Sequence, residues 1–144
     1  MYFLKLLIWS FRLKAYFITA LLFQLIKNIR GRTKKIINAL WGIGQMASTK
    51  FIAVFDQDIN LQDSSTVVWK LLNNVDPRRD LIFSEGPLDA LDHSAPFANF
   101  GGKMGIDATR KTREEGMGRE WPDEIVMSEE VKEKVTKRWK EYGF

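Results

Sequence analysis

Apolar and polar positions follow two different periods along the chain, and these periods predict helices that alternate with strands. After Arg32, apolar residues recur at intervals of three and four, which is typical of a helix with one apolar face. These residues are Ile36, Ile37, Leu40 and Ile43. The run FIAVF, from Phe51, is short, continuous and rich in aromatic and branched side chains, so it predicts a buried strand that ends at Asp56.

A second helix is predicted after Asp63, which suits an N-cap, and it stops before Pro77. Its apolar face is expected to consist of Val67, Val68, Leu71, Leu72 and Val75. The segment DLIFSEGP predicts a second strand and KMGIDAT a third. The polar segment RKTREEGMGREWPDE indicates a surface loop.

The last helix is predicted to open at Ser128, which is followed by two glutamates. Its buried stripe is expected to contain Val131, Val135, Trp139 and Tyr142. Helices that alternate with strands predict an α/β fold. We expect a three-layer α/β/α-like domain with a small mixed sheet and a long C-terminal helix.

Composition excludes several classes of site. The 144 residues contain no cysteine and one histidine, His93. Disulfides, cysteine-ligated zinc, a thiol nucleophile and multi-histidine metal sites are therefore excluded. The absence of cysteine fits a reducing compartment, and we expect a cytoplasmic protein.

Positive charge is concentrated at the start of the chain. Eight of the 22 Lys and Arg residues, and none of the 18 acidic residues, lie in residues 1–36. The remainder is therefore net negative, although the whole chain carries a formal charge of +4. This distribution gives little support to a nucleic-acid-binding face, and we expect no nucleic-acid partner.

Two acidic residues follow the first predicted buried strand. Asp56 and Asp58 stand where a strand ends, which is a common position for metal or phosphate ligands. The alternative is that they form and cap a turn. Gly42 and Gly44 form a GxG pair inside a predicted helix, without the preceding strand that a dinucleotide-binding fingerprint requires.

The turn-rich segment PLDALDHSAPFANFGG, residues 87–102, is long enough to suggest a functional loop. His93 lies within it beside Asp92, but neighbours in sequence do not make a catalytic pair, because geometry defines one. A structural or pocket-lining histidine is the preferred interpretation. Gly101 and Gly102, followed by Lys103, could cradle an anion or permit a close approach of two backbone segments.

Four blocks of sequence resemble the C-terminal domain of the UbiD-family decarboxylases. They are ALWGIGQMASTKFIAVFDQDINLQDSSTVVWKLLNNVDPRRD, SEGPLDALDHSAP, GGKMGIDATRK and REWP. Their order and spacing match the family from Gly31 onward, over about four-fifths of the chain.

This resemblance implies a 3-polyprenyl-4-hydroxybenzoate-type carboxy-lyase acting on aromatic or α,β-unsaturated acids, with ubiquinone or menaquinone biosynthesis as a familiar role. The implied cofactor is prenylated FMN with a divalent metal and potassium. It is held, with the catalytic residues, by a central domain that this chain lacks. We therefore expect no catalytic, cofactor-binding or metal-binding residue here, and no activity from the chain alone.

By resemblance, the C-terminal domain supports oligomerisation and closes over the active site. Its loop around Leu91, His93, Pro96 and Phe97 is the candidate substrate-pocket wall. A long loop without an acid–base pair suits a lid better than a catalytic centre. The expected partner is a second copy or the missing upstream part of the same enzyme.

The opening segment, residues 1–31, does not show the family blocks, so we expect a boundary there and a family domain at 32–144. Read one base out of frame, its codons permit PEIVDLVLPPEGVFHNCALVSIDKKYPG, which is similar to what the family carries before this domain. A base insertion or deletion near Gly31 would explain the segment. The alternative is a membrane-surface helix that anchors a stand-alone interaction module, since the charge-free run from Ala15 to Ile26 is too short to span a bilayer.

Overall fold

The computed structural model describes residues 20–25 and 31–143. Its strands are β1 (Ala20–Leu25), β2 (Phe51–Asp56), β3 (Leu81–Pro87) and β4 (Phe100–Asp107). Its helices are α1 (Arg32–Trp41), α2 (Ser64–Asn74) and α3 (Glu129–Lys137), and three short 3-10 segments cover Gly44–Ser48, Arg113–Glu115 and Trp139–Tyr142.

The four strands form one mixed sheet in the order β1-β2-β4-β3. β2 pairs in parallel with both β1 and β4, and β3 pairs antiparallel with β4. The predicted small mixed sheet is therefore confirmed, with one strand more than the three that the sequence predicts.

Alternate side chains of β2 point to opposite faces of the sheet. Since β2 is apolar on both faces, each face needs a cover, and helices supply it. Ile52 and Val54 are buried against Ile37 of α1, on one face. On the other face, Ala53 and Phe55 are buried against Val67 of α2. The same cluster contains Leu22, Ile59 and Leu61. The predicted α/β/α layering is confirmed by these two separate cores.

β1 lies inside the segment that the sequence sets apart from the family domain. All six of its residues pair in register with β2, and Leu22 is buried in the same core as Phe55. Residues 20–25 therefore form a strand and not the membrane-surface helix of the alternative interpretation, since a parallel neighbour is available along their whole length. Residues 1–19 and 26–30 lie outside the described residues. No helix within the described ranges has the length and apolarity to cross a bilayer.

The start of α2 is capped as predicted. The Asp63 carboxylate accepts hydrogen bonds from the backbone N–H groups of Ser65 and Thr66, at 3.0 and 3.2 Å. The predicted apolar face is narrower than expected, because Val68 and Leu72 are exposed. The buried side of α2 instead carries Val67, Lys70 and Asn74.

Two further details of the sequence prediction are wrong. In α1, Ile43 lies beyond the last helical residue and is exposed, while Thr33 is buried in its place. α3 has nine residues, so the C-terminal helix is short, and it contains no buried residue. Val131, Trp139 and Tyr142 are exposed, since α3 has its main described contacts with the turn that follows it and none of note with the sheet.

Candidate functional site

The candidate site is the loop between β3 and β4, from Leu88 to Asn99, which we call the wall loop. Its neck is closed by a hydrogen bond from the Leu88 N–H to the Asn99 carbonyl, at 2.9 Å. Asn99 has a φ of 60°, in the left-handed region that asparagine tolerates better than most residues. Strand pairing from Pro87 to Phe100 continues directly beneath the neck. The loop is therefore a defined excursion from a hairpin.

Two turns give the wall loop its shape. The Leu91 N–H donates to the Asp89 carboxylate at 2.9 Å, and the Ser94 N–H donates to the Asp92 carboxylate at 2.9 Å. The Ala95 N–H donates to the Asp92 carbonyl at 3.2 Å. Aspartates that bind the backbone two residues ahead are ordinary turn formers. The sequence DALDHS therefore builds its own local structure.

Gly101 lets the wall loop fold back onto β4. A Cβ at this position would lie 2.9 Å from both Leu88 Cδ1 and Pro96 Cδ. This result confirms the close-approach interpretation for Gly101. Lys103 is not part of an anion cradle, because its buried side chain donates to the carbonyl of Ala47.

Lys50 joins the wall loop to the sheet. Its Nζ lies 3.0 Å from Oδ1 and 2.9 Å from Oδ2 of Asp92, and it also donates to the Ser94 hydroxyl. The side chains of Lys50 and Asp92 are only 19% and 8% exposed. The hydrogen bond from Lys50, followed by those from Ser94, lowers the pKa of Asp92 to about 2. Asp92 is therefore ionised at any pH near neutrality, and it pairs with Lys50 and not with His93.

A serine hydroxyl beside a lysine amine can be a nucleophile with its base. That chemistry needs a neutral amine, whereas the Lys50 ammonium lies between both oxygens of the Asp92 carboxylate. The arrangement of Lys50, Asp92 and Ser94 is consequently suited to holding a loop in place and not to attacking a substrate.

All four candidate wall residues are exposed on the wall loop. Leu91 is 58% and Phe97 69% exposed, which leaves large apolar surfaces free to contact another group. Pro96 packs over Gly101, and Phe97 forms a single antiparallel bridge with Phe100. The loop therefore presents the four side chains on one segment, and their role as a substrate wall stays a prediction.

Sequence reasoning missed an apolar groove on the sheet beside Lys50. Phe51, Met104 and Phe83 lie opposite one another across β2, β4 and β3. They line an open groove of about 570 Å³ together with Ser84, Glu85, Gly102 and Lys103. Phe83 is 72% exposed, and the Lys50 ammonium lies 5.6 Å from the centre of the Phe51 ring. Period-two spacing alone could not reveal the groove, because the register between distant strands brings its members together.

Asp56 and Asp58 organise a turn and a neighbouring loop. The Asp56 carboxylate accepts a hydrogen bond from the Arg110 N–H at 2.8 Å, and Asp58 forms an ion pair with the Arg110 guanidinium. The structure thus favours the turn-forming interpretation over a metal site. Among the described residues, no three His, Cys, Asp or Glu side chains lie close enough to hold a metal ion.

A buried ionic cluster that the sequence did not predict lies where β4 ends. Lys111 is 2% exposed, and its Nζ lies 3.2 Å from Asp107 Oδ1 and 3.7 Å from Asp80 Oδ1. Arg79 makes two hydrogen bonds with the Asp80 carboxylate, at 2.9 and 2.8 Å. Burial raises the pKa of Asp80, but the bonds from Arg79 and the Asp76 N–H, with the Lys111 charge, bring it below its ordinary value. The cluster closes the end of the sheet away from the wall loop.

The sequence model of the 3-octaprenyl-4-hydroxybenzoate carboxy-lyase C-terminal domain matches residues 11–108. This range begins upstream of Gly31, where the sequence blocks begin, and includes β1. An uncharacterized protein of Archaeoglobus fulgidus is 47% identical over 116 residues, which are 80% of this chain and 24% of that protein. An uncharacterized protein of Aquifex aeolicus is 49% identical over 117 residues, which are 81% of this chain and 24% of that protein.

Solved structures show the same fold. The closed form of vanillic acid decarboxylase from Sedimentibacter hydroxybenzoicus has a TM-score of 0.71 and 25% identity, covering 85% of this chain and 26% of that one. The UbiD-class enzyme HmfF from Pelotomaculum thermopropionicum, in complex with FMN, has a TM-score of 0.66 and 25% identity, covering 82% and 25%. An evolved dimeric form of HmfF with prFMN has a TM-score of 0.55 and 22% identity, covering 78% and 21%.

Proposed function

Because the chain belongs to the family of 3-octaprenyl-4-hydroxybenzoate carboxy-lyase C-terminal domains, we propose that it is part of a carboxy-lyase for aromatic or α,β-unsaturated carboxylic acids. The observation that carries this proposal is the family match over residues 11–108, which include the wall loop and the sheet beneath it, together with the fold shared with solved UbiD-class enzymes. A cytoplasmic enzyme of quinone biosynthesis is the specific role that we propose for the parent.

The chain spans about a quarter of the length of the curated relatives that it matches, 24% in both. We propose that it supplies the lid and oligomerisation domain, and that the chemistry takes place on the rest of the enzyme. The exposed apolar side chains of the wall loop support this division, because a lid needs shape and apolar surface more than acid–base groups.

The cofactor that we propose for the parent enzyme is prenylated FMN with a divalent metal and potassium. The described residues do not fit this group. They contain no cluster of metal-ligating side chains, and Gly42 and Gly44 follow the end of α1, whereas a dinucleotide-binding turn lies between a strand and the start of a helix. We propose that the part of the enzyme outside this chain holds the cofactor.

The wall residues can be tested in a chimera. The matched 116 residues of the Archaeoglobus fulgidus relative would be replaced by those of this chain, and carbon dioxide release from a panel of aromatic acids would be followed with prenylated FMN. Phe97→Ala and Leu91→Ala are expected to raise KM at least tenfold without lowering Tm, since both side chains are exposed. Leu72→Ala, which is 78% exposed and lies on α2, is the control and should leave KM unchanged.

Two results would contradict the proposal. One is a parent and chimera that both fold, bind the cofactor and release no carbon dioxide from any acid of the panel. The other is a Leu72→Ala variant that raises KM as much as Phe97→Ala does. The 144-residue chain alone, given the same cofactor and acids, is expected to show no turnover. Detectable turnover would refute the proposal that the chemistry takes place on the rest of the enzyme.

We propose that the opening segment is the out-of-frame translation of an upstream part of the same gene. The proposal rests on the shifted reading itself, in which the codons of residues 20–25 permit ALVSID, a sequence that suits a strand as the in-frame ALLFQL does. Genomic DNA tests it directly. If the shifted frame encodes no such peptide, or the upstream frame encodes no UbiD-like remainder, the proposal fails. A membrane-anchored module would then gain support from sedimentation with vesicles that deletion of residues 1–30 abolishes.

A further inference from the structure

We infer that Lys50 is a positioning residue, which fixes the wall loop against the sheet and so sets where the four wall side chains stand beside the apolar groove. The substrate-facing part of this inference rests on the proposed function, whereas the mechanical part rests on geometry alone. Lys50 directly precedes β2, the central strand that pairs with both β1 and β4. The residue that holds the loop is therefore itself held by the most firmly embedded strand.

The tie between loop and strand is non-local and shielded. Lys50 and Asp92 are 42 positions apart in sequence, and the ammonium is within 3.0 Å of both carboxylate oxygens. Water has little access to the pair, because the side chains are 19% and 8% exposed. Shielded ion pairs are screened less than surface pairs. The pair can therefore hold a segment whose turns are formed by local hydrogen bonds, which nearby amides donate to the Asp89 and Asp92 carboxylates.

The same ammonium also reaches the groove. It lies 5.6 Å from the centre of the Phe51 ring, and Phe51 forms one wall of the groove with Phe83 and Met104. One charged group thus contacts both a turn of the wall loop and a wall of the groove. The wall loop and the groove therefore lie side by side, and an apolar or aromatic ligand group could contact both.

The inference predicts local loosening of the wall loop when Lys50 loses its charge. In hydrogen exchange of the full 144-residue chain, Lys50→Met is expected to speed exchange of the Ser94 and Ala95 amides at least tenfold. Both amides donate within the Asp92 turn that Lys50 holds. The Ala108 amide, which donates to the Val54 carbonyl at 2.9 Å in the sheet, should keep its rate.

Conservative and paired variants separate positioning from a general structural role. Lys50→Arg should restore the loop rates to within threefold of the unchanged chain, because a guanidinium can also pair with a carboxylate. Asp92→Asn should reproduce the effect of Lys50→Met, and the double variant should add nothing further. Lys34→Met, on the exposed side of α1, is the control and should change neither the loop nor the sheet rates.

A second measurement follows the Asp92 carboxyl group itself by NMR titration. Its pKa, about 2 with Lys50 in place, should move toward the ordinary value of 3.8 in Lys50→Met. Unchanged loop exchange in Lys50→Met would overturn the inference, and so would equal acceleration of loop and sheet or additive effects of the two single variants. None of these readouts needs decarboxylation, so they can fail independently of the proposed function.

Discussion

Replacing Lys111 by methionine is expected to cost this fold about 3 kcal/mol. The Lys111 side chain is 2% exposed at the end of β4. Its ammonium donates to the Asp107 carbonyl at 2.9 Å, to the Thr109 carbonyl at 2.5 Å and to Asp107 Oδ1 at 3.2 Å. Methionine fills a similar volume but leaves these acceptors without the buried cation.

The magnitude follows from what remains behind. Removing one partner of a buried ion pair costs about 3–5 kcal/mol, because the other charge stays buried and uncompensated. Here Asp80 keeps its two hydrogen bonds from Arg79. Asp107 keeps the bonds from the Thr109 N–H, at 3.1 Å, and hydroxyl, at 2.5 Å. The cost should therefore lie near the lower bound of that range, and a Tm decrease of about 10 °C is expected for a domain of this size.

Urea and thermal unfolding followed by circular dichroism measure this effect. Adding Asp107→Asn to Lys111→Met should recover part of the loss, because the amide keeps the Thr109 bonds without a buried charge. Lys132→Met is the control, since the Lys132 side chain is 46% exposed in its pair with Glu129, and it should cost less than about 0.5 kcal/mol. A loss below about 1 kcal/mol for Lys111→Met, or no recovery in the double variant, would refute the reasoning.

Three further outcomes are expected. Gly105→Ala places a Cβ 2.6 Å from Ile37 Cγ2 and should cost about 1–3 kcal/mol in urea unfolding, whereas Gly102→Ala, with nothing within 4 Å, should cost less than about 0.5 kcal/mol. Burial raises the pKa of Asp80, but hydrogen bonds and nearby cations bring it below its ordinary value. Its contribution to stability is therefore present above about pH 4 and is lost as the pH falls further. In Asp80→Asn the free energy of unfolding should no longer show this loss at acid pH, and an unchanged pH dependence would contradict this. Trp139→Ser should reduce self-association in sedimentation velocity, because the half-exposed indole adds to the apolar surface that a second copy could cover, and an unsubstituted chain that is monomeric would contradict this.

Local signals explain what the sequence predicts correctly. The apolar run of β2 and the N-cap at Asp63 each depend on neighbours within a few positions, and both appear in the structure. The alternating burial along β4, with Gly101, Lys103 and Gly105 on one side, also follows the period of a strand. The α/β/α layering then follows, because a strand apolar on both faces requires a cover on each.

The features that the sequence could not predict depend on contacts between distant positions. Lys111 meets Asp80 across 31 positions, and Lys50 meets Asp92 across 42, so neither pair is visible to a window of residues. The prediction of a buried stripe on α3 is wrong for a different reason. Periodicity shows that Val131 and Trp139 share a face, but it cannot show that the main contacts of α3, among the described residues, are with the turn that follows it.

The electrostatics of the wall loop limit where pH dependence in the parent enzyme can arise. With a pKa of about 2, the Asp92 carboxylate stays ionised across the neutral range, and its pairing with Lys50 contributes stability that is lost only as the pH falls from about 4 toward 2. The anchor of the loop is therefore the same at pH 6 as at pH 8. If turnover or KM of the chimera changes between these values, the titrating group must be one that acts elsewhere than in this ion pair. The same profile should then persist in Lys50→Arg, whose guanidinium remains charged throughout that range.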